Sequence, residues 1–328
     1  MCMKLIGQGS TSKIYLINNV VVKIYNHKTK TTIINKEINI LNSLKKNKYT
    51  INILTSGFLD EHYFIKMEYL DAETLDKYIF RQPVNFNIKF DIIIQLLNGF
   101  ISLNKSRIYH GDIKLENILI TNLKQIKIID FGLSCKKKCI MNGGTVVYSS
   151  PEVLISYGNP HKVSEYDMKI SDTFSLGIVF YLILTSSFPF IIKFNPYPYN
   201  NELLNKFYSV TCDTRDTRDN VVSENSKDVI LSTNSDKCKI NCHKNLADTF
   251  SPISPISPNE SRCFDIESVY DLYNLYKFWK NRKLEKVNTP NSLNIYLGVV
   301  EKMLRFNTRN VGGRLCLPRI LNEFQKIK

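Results

Sequence analysis

The sequence predicts an α+β protein in two unequal parts, a small β-rich segment up to about Leu70 and a larger, mainly helical segment after it. Three observations predict this. The opening alternates short β-branched and aromatic runs with turns. One helical pattern, Thr31 to Leu44, interrupts those runs. Beyond Leu70 the apolar spacing becomes helical. The chain has 328 residues and is 43% hydrophobic, enough to bury a large core and too apolar for a wholly disordered protein. With 13 Gly and 11 Pro, collagen-like and low-complexity classes are excluded for the chain as a whole.

The strand candidates are Lys4 to Ile6, Ile14 to Ile17, Val20 to Tyr25, Gly57 to Leu59 and Tyr63 to Met67. Asn18-Asn19 marks a hairpin between the second and third. In the helical pattern, Ile33, Ile34, Ile38, Ile40, Leu41 and Leu44 fall largely on one face. A long helix follows over Phe86 to Lys105, then short strands near Ile118 to Ile120 and Ile126 to Ile129. A strongly apolar helix is expected from about Ser171 to Thr185, with Ser171 or Asp172 near its N-terminus. The apolar stretch Leu176 to Ile192 reaches the roughly 17 residues of the shortest membrane spans, but Thr185, Ser186, Ser187 and Pro189 interrupt it, so a buried core helix is expected.

Residues 209–262 change in composition. The repeat Thr214-Arg215-Asp216-Thr217-Arg218-Asp219 gives way to a polar stretch and then to Ser-Pro repeats at Ser251, Ser254 and Ser257. Too few large apolar side chains occur there for a core, which reads as an inserted linker. Helical patterning resumes over Ile266 to Lys283 and Asn294 to Phe306.

The 44 Lys+Arg against 30 Asp+Glu leave a net charge of +14. Such a balance suits polyanionic partners, but no nucleic-acid-binding module accompanies it. Eight scattered cysteines do not form a disulfide framework by density. Cys238, Cys242 and His243 lie close together without a second ligand pair at zinc-finger spacing. Met1 to Ser10 lacks the apolar run of a signal peptide. Reduced thiols in an intracellular protein, cytoplasmic or nuclear, are therefore expected.

The chemistry concentrates in a few runs. Gly7-Gln8-Gly9-Ser10-Thr11-Ser12-Lys13-Ile14 lies between two strand candidates, where glycines let backbone amides approach phosphate oxygens. Lys23 ends Val21-Val22-Lys23, and Glu37 follows 14 residues later on the helical pattern. A lysine that reaches phosphate needs a carboxylate to hold its flexible stem. Tyr109-His110-Gly111-Asp112-Ile113-Lys114-Leu115-Glu116-Asn117 precedes Ile128-Ile129-Asp130-Phe131-Gly132. Together these runs supply one base, Asp112, and two oxygen ligands suited to Mg2+, Asn117 and Asp130. Lys114 adds a positive charge beside a transferred phosphoryl group.

On these motifs, which recur in family order, the chain resembles the eukaryotic-type protein kinases. The resemblance implies a two-lobed fold, with a small β-rich N-lobe over 1–70 and a larger helical C-lobe over 71–328 that carries the 209–262 insertion. It implies ATP and Mg2+ as cofactors. Gly7, Gly9, Lys23 and Glu37 match the ATP-binding positions, and Ile6 and Ile14 those that sandwich adenine. Met67 matches the gatekeeper, with Glu68, Tyr69 and Leu70 as hinge. Asp112, Lys114 and Asn117 match the catalytic loop, and Asn117 and Asp130 the metal ligands. Gly144 to Glu152 resembles the substrate-docking end of the activation segment, Asp172 to Gly177 the helix anchoring the catalytic loop, and Arg314 the partner of Glu152. Lys114 and Thr145 match serine/threonine kinases better than tyrosine kinases, so the implied partners are protein substrates presenting Ser or Thr hydroxyls. Glu116 matches an acidic position that often faces basic substrate residues. No nucleic-acid or membrane partner is implied.

Two departures qualify the resemblance. Ser12 replaces the third glycine of the loop. Gly111 replaces the arginine that pairs with a phosphorylated activation-loop residue, and Cys135 to Gly144 contains no Ser, Thr or Tyr. The chain is therefore expected to need no activation-loop phosphate there. The alternatives are a kinase-like small-molecule phosphotransferase, which also uses His-Gly-Asp, and a nucleotide-binding pseudokinase or scaffold. The segment from Gly144 to Glu152 and the Asp172 helix argue against the first, and the presence of Lys23, Asp112 and Asp130 against the second.

Overall fold

The computed structural model describes residues 3–136, 139–141, 144–150, 153, 161–163, 165–189, 191–194, 263–266, 291–304 and 316–327. The first lobe is a five-stranded antiparallel sheet in the order β1-β2-β3-β5-β4. Its strands are β1 (Met3–Gln8), β2 (Ser12–Ile17), β3 (Val20–Tyr25), β4 (Ile53–Leu59) and β5 (His62–Glu68), with helix α1 (Thr31–Ser43) between β3 and β4. Two tight hairpins set the register. Asn18 and Asn19 take φ of 48° and 60°, and Asp60 and Glu61 take 47° and 63°. Consecutive left-handed residues twist a two-residue loop as the flanking strands require, which is why Asn and Asp serve there.

Helix α1 turns Ile34, Glu37, Ile40 and Leu41 inward. The spacing is that of an apolar stripe, yet one member is a carboxylate. Such a residue is costly to bury unless it is paired, and its partners define the site below.

The chain then forms β6 (Ala72–Thr74), α2 (Leu75–Arg81), α3 (Phe86–Lys105), β7 (Ile108–Tyr109), β8 (Ile118–Thr121), β9 (Ile126–Ile128), β10 (Cys135–Lys136), β11 (Cys139–Met141) and β12 (His161–Val163). After these come α4 (Glu165–Thr185), β13 (Ile191–Phe194), β14 (Cys263–Ile266), α5 (Asn291–Met303) and α6 (Leu317–Ile327). Helix α3 spans the expected residues, and Asn85 caps it by accepting from the Asn87 N–H at 2.8 Å. Helix α4 begins six residues before the expected Ser171, because Met168 and Ile170 extend its buried surface. Asp172 therefore lies inside the helix rather than capping it.

Helices α3 and α4 are long and apolar enough to cross a membrane by length and composition. α4 is packed inside the second lobe, with every residue from Phe174 to Leu184 buried, and α3 buries one face against the same core. At about 1.5–3 kcal/mol for each large apolar side chain removed from water, α4 supplies much of that lobe's cohesion. Helices α5 and α6 close the same core. Phe324 packs on Phe90, Phe180 and Tyr296, and Gly177 leaves room for Met303 and Leu304.

β13 and β14 pair in parallel, Ile191 with Cys263 through Phe194 with Ile266. Because the pair is parallel, the intervening chain leaves after Phe194 and returns at Cys263, beside Ile191 at the other end of the short ladder. It also places Ile266 in a strand, where a helix from Ile266 was expected. The rest of that helix, the 209–262 segment, Cys238, Cys242 and His243 lie outside the described residues.

The expectation of uniformly reduced thiols is corrected. Cys135 and Cys139 form a disulfide, and Cys316 is a free, exposed thiol. Cysteine density argues against a framework of bridges, but it carries no information about one pair four residues apart.

Candidate active site

The site lies where the sheet lobe meets the helical lobe, and most of it is polar atoms that burial would otherwise penalise. Lys23 projects from β3 and is buried. Its Nζ donates to Glu37 Oε1 at 2.7 Å and to Asp130 Oδ1 at 3.1 Å. The second carboxylate oxygen, Oε2, accepts from the Tyr25 hydroxyl at 2.7 Å. Burial opposes a charged Lys23, but Glu37 and Asp130 outweigh it, so its pKa lies above the ordinary lysine value. Burial and then the Glu37 charge push the Tyr25 hydroxyl well above its ordinary pKa, so it stays a proton donor.

Asp130 follows β9 with φ of 61°, a left-handed conformation that turns its carboxylate toward Lys23. Burial would raise its pKa, but the Lys23 ammonium beside it brings the pKa below the usual carboxylate value. Gly132 adjoins this group at ordinary contact distance. A Cβ on it would lie 3.4 Å from Asp130 Oδ1 and 3.5 Å from Glu37 Oε2.

Lys114, Asn117 and Thr145 converge on Asp112. Its Oδ1 accepts from the Thr145 hydroxyl at 2.8 Å and the Thr145 N–H at 3.0 Å. Its Oδ2 lies 3.1 Å from Asn117 Nδ2 and 3.1 Å from Lys114 Nζ. Lys114 also donates to Thr145 Oγ1 at 2.9 Å, and Asn117 Nδ2 to the Asp112 carbonyl at 2.9 Å. The Asn117 amide nitrogen is thus engaged within the loop, which leaves its oxygen as the atom to offer a hard cation.

The loop itself is held from below. Asp172 of α4 accepts from the His110 N–H at 2.7 Å through Oδ2 and from the Gly111 N–H at 3.0 Å through Oδ1. Burial raises the Asp172 pKa, and the two N–H groups offset only part of that. His110 Nε2 lies 3.0 Å from the Ile129 carbonyl, and the Asp112 N–H donates to His110 Nδ1 at 3.3 Å. A ring protonated on Nε2 satisfies both bonds. Ser134 Oγ donates to the His110 carbonyl at 2.8 Å. Tyr25, His110, Asp172 and Ser134 therefore complete the site. The sequence reading named Asp172 as an anchor but gave Tyr25 no role. The available signal was a polar hydroxyl at an otherwise apolar strand position, two residues after Lys23.

In the glycine loop, the Gly9 N–H donates to the Ser12 carbonyl at 2.9 Å, and Ser12 is buried opposite Tyr25. Neither Gly7 nor Gly9 has a positive φ, and a Cβ on Gly9 would meet only Ser12 O, at 3.9 Å. Ser12 likewise needs no glycine, since it already sits in the ladder. Ile14 pairs with Gly7 on one side and Lys23 on the other. Ile6 is exposed and Ile14 half-buried. Met67, next to last in β5, packs against the core, and Glu68 binds Asn52 at 3.1 Å and Lys127 at 3.4 Å through Oε1. Leu70 packs against the core just beyond. Glu116 is exposed as a residue, but its carboxylate is partly desolvated, which raises its pKa, and the Tyr148 hydroxyl donates to it at 3.4 Å. Pro151, Glu152 and Arg314 lie outside the described residues.

A lysine–glutamate pair inside the sheet lobe, an aspartate reaching it from beyond β9 and an Asp-Lys-Asn loop held on a buried helix define a two-lobed protein of the kinase type. The comparisons agree. Residues 2–241 match the protein kinase domain. Relatives include the serine/threonine-protein kinase cds1 of Schizosaccharomyces pombe, 34% identical over 56% of this chain and 41% of that protein. The CBL-interacting serine/threonine-protein kinase 13 of Arabidopsis thaliana is 27% identical over 57% of this chain and 39% of its own. The serine/threonine-protein kinase PrkC of Bacillus subtilis is 30% identical over 43% and 22%. The matches cover less than half the length of these relatives. The chain belongs to the protein kinase family.

Proposed function

We propose that this chain is a Ser/Thr protein kinase that transfers the γ-phosphate of ATP, with Mg2+, to protein hydroxyls. The observation that carries the reading is the Asp112–Lys114–Thr145 triangle, closed by contacts of 2.8, 2.9 and 3.1 Å. A threonine tied to both the base and the lysine braces the loop next to the acceptor position.

Asp112 orients the acceptor hydroxyl and takes its proton as that oxygen bonds to phosphorus and the bond to ADP breaks. Lys114 offsets charge on the phosphoryl oxygens, and Lys23, fixed by Glu37, holds the nucleotide's phosphates. Gly7 and Gly9 leave the loop backbone open to those phosphates, which explains glycine where the loop's own geometry does not require it. Ile6, Ile14, Met67, Glu68 and Leu70 frame the base at the lobe junction. Asn117 and Asp130 would hold Mg2+, which neutralises phosphate charge when bound. Among the described residues, no group of three or more His, Cys, Asp or Glu forms a metal site. Two protein oxygens completed by phosphates and water suit Mg2+. Gly111 supports activity without an activation-loop phosphate. We also propose that the kinase domain runs across the 209–262 insertion to α6, because α5 and α6 share the core of α3 and α4.

The test is label transfer from γ-labelled ATP to generic protein substrates with Mg2+, beside Lys23→Met. Label on Ser and Thr that disappears in the variant is the expected result. Label confined to a small-molecule acceptor, or none despite nucleotide binding, would refute the reading.

A further inference from the structure

The Cys135–Cys139 disulfide sits at the start of the segment following Asp130-Phe131-Gly132. Cys135 pairs with Tyr109 and Lys136 with Ile108, so β10 lies on β7, the strand that runs directly into His110, Gly111 and Asp112. Cys139 opens β11, whose partner β12 leads into α4, the helix that carries Asp172. The bridge therefore joins two small ladders, one feeding the catalytic loop and the other feeding the helix that holds it. The ladders have two and three residue pairs. Pairing that short is marginal without further support.

Both cysteines are buried in one cluster with Tyr109, Val153 and Met168. Gly111 adjoins that cluster. A Cβ on it would lie 3.0 Å from the Leu133 carbonyl oxygen and 3.7 Å from Met168 Cε. Where an arginine would tie the loop to a phosphate, this chain has no side chain. Beside that position it has a covalent link.

We propose that the Cys135–Cys139 disulfide is a redox-controlled fastener of the activation segment. Oxidised, it keeps that segment on β7 and Thr145 against Asp112. Reduced by a dithiol, it releases the segment and slows transfer to protein substrates. In the reducing step a thiolate of the dithiol attacks one sulfur, and the S–S bond breaks. Its second thiol then resolves the mixed disulfide. Two electrons and two protons pass to the cysteines, and the dithiol becomes a disulfide. The activity arm rests on the kinase reading above; the structural arm does not.

The test uses the full chain and a Cys135→Ala/Cys139→Ala variant, equilibrated in graded ratios of reduced and oxidised dithiothreitol. Free thiols are alkylated, and the protein is digested without reductant and mapped by mass. Hydrogen exchange of residues 108–112 and 145 and transfer to a peptide are followed in parallel. The oxidised wild type should yield a Cys135–Cys139-linked peptide. Reduction should raise exchange roughly tenfold, in keeping with the modest constraint of so short a ring, and transfer should fall in step. The double variant should sit at the reduced level at every ratio. A linked peptide that never forms, exchange and transfer indifferent to reduction, or a double variant that still responds would each overturn the proposal. If no condition supports transfer, the kinase reading fails, while the exchange rates still decide the fastener.

Discussion

The Tyr25 hydroxyl and the Lys23 ammonium bind opposite oxygens of one carboxylate, Glu37 Oε2 and Oε1, each at 2.7 Å. Lys23 also lies 5.4 Å from the centre of the Tyr25 ring. Tyr25 thus acts on the lysine twice, through Glu37 and through its own ring face. Tyr25→Phe keeps the ring and deletes only the hydroxyl. It leaves Glu37 Oε2 buried and short of a donor, at a cost of about 1–3 kcal/mol. Because Glu37 is then free to rotate away, kcat/KM for ATP should fall roughly tenfold. Denaturant unfolding and steady-state kinetics check the two effects. A purely structural tyrosine would lower stability and leave kcat/KM unchanged.

Much of this was legible in the sequence because the chemistry comes in contiguous runs. Asp112, Lys114 and Asn117 lie within six residues, and the loop they form needs no distant chain to be recognised. The hairpin at Asn18-Asn19 was legible for a similar reason, since asparagine tolerates the left-handed backbone found there. What was not legible depended on burial. Glu37 reads as a surface charge until its helix face is known, and Tyr25 reads as one more β-forming aromatic. The start of α4 was misplaced because Met168 and Ile170 precede the continuous apolar run that marks the helix. The Cys135–Cys139 bridge depends on two ladders whose partners are remote in sequence.

Gly111 has φ of 78°, and the Leu133 carbonyl oxygen lies 3.0 Å from where its Cβ would stand. Gly111→Ala should therefore cost about 1–3 kcal/mol, as left-handed strain and crowding of a backbone atom combine. Gly111→Arg should not create dependence on phosphorylation, because Cys135 to Gly144 offers no hydroxyl to modify. Unfolding curves measure the first effect. Activity before and after phosphatase treatment measures the second, and a drop after treatment of Gly111→Arg would contradict it.

Deleting residues 209–262 should leave the core folded. β14 is paired with β13 over four residues, a span the 14 residues left between them can cross, and the helices beyond the deletion pack on those before it. Closure entropy grows only slowly with loop length, so shortening the connection changes stability by only about 1–2 kcal/mol. A thermal melt and nucleotide binding of the shortened chain check this, and an insoluble product would refute the insertion reading.

The Lys23–Asp130 contact predicts a signed pH effect. The folded-state pKa of Asp130 lies below 3.8, its ordinary value. An acid with a depressed pKa stabilises the fold above its unfolded pKa and loses that contribution as pH falls through its folded pKa. Asp130→Asn should therefore be less stable than wild type at pH 7, and the gap should close only below about pH 4. The side chain is 49% exposed, so solvent limits the gap to about 1 kcal/mol or less. Lys23 gives no competing change near neutrality, because its raised pKa confines its own loss to strongly alkaline pH. Urea unfolding of both proteins from pH 3 to 7 tests this. A gap that widened on acidification would reverse the sign and exclude Lys23 as the group that holds Asp130 ionised.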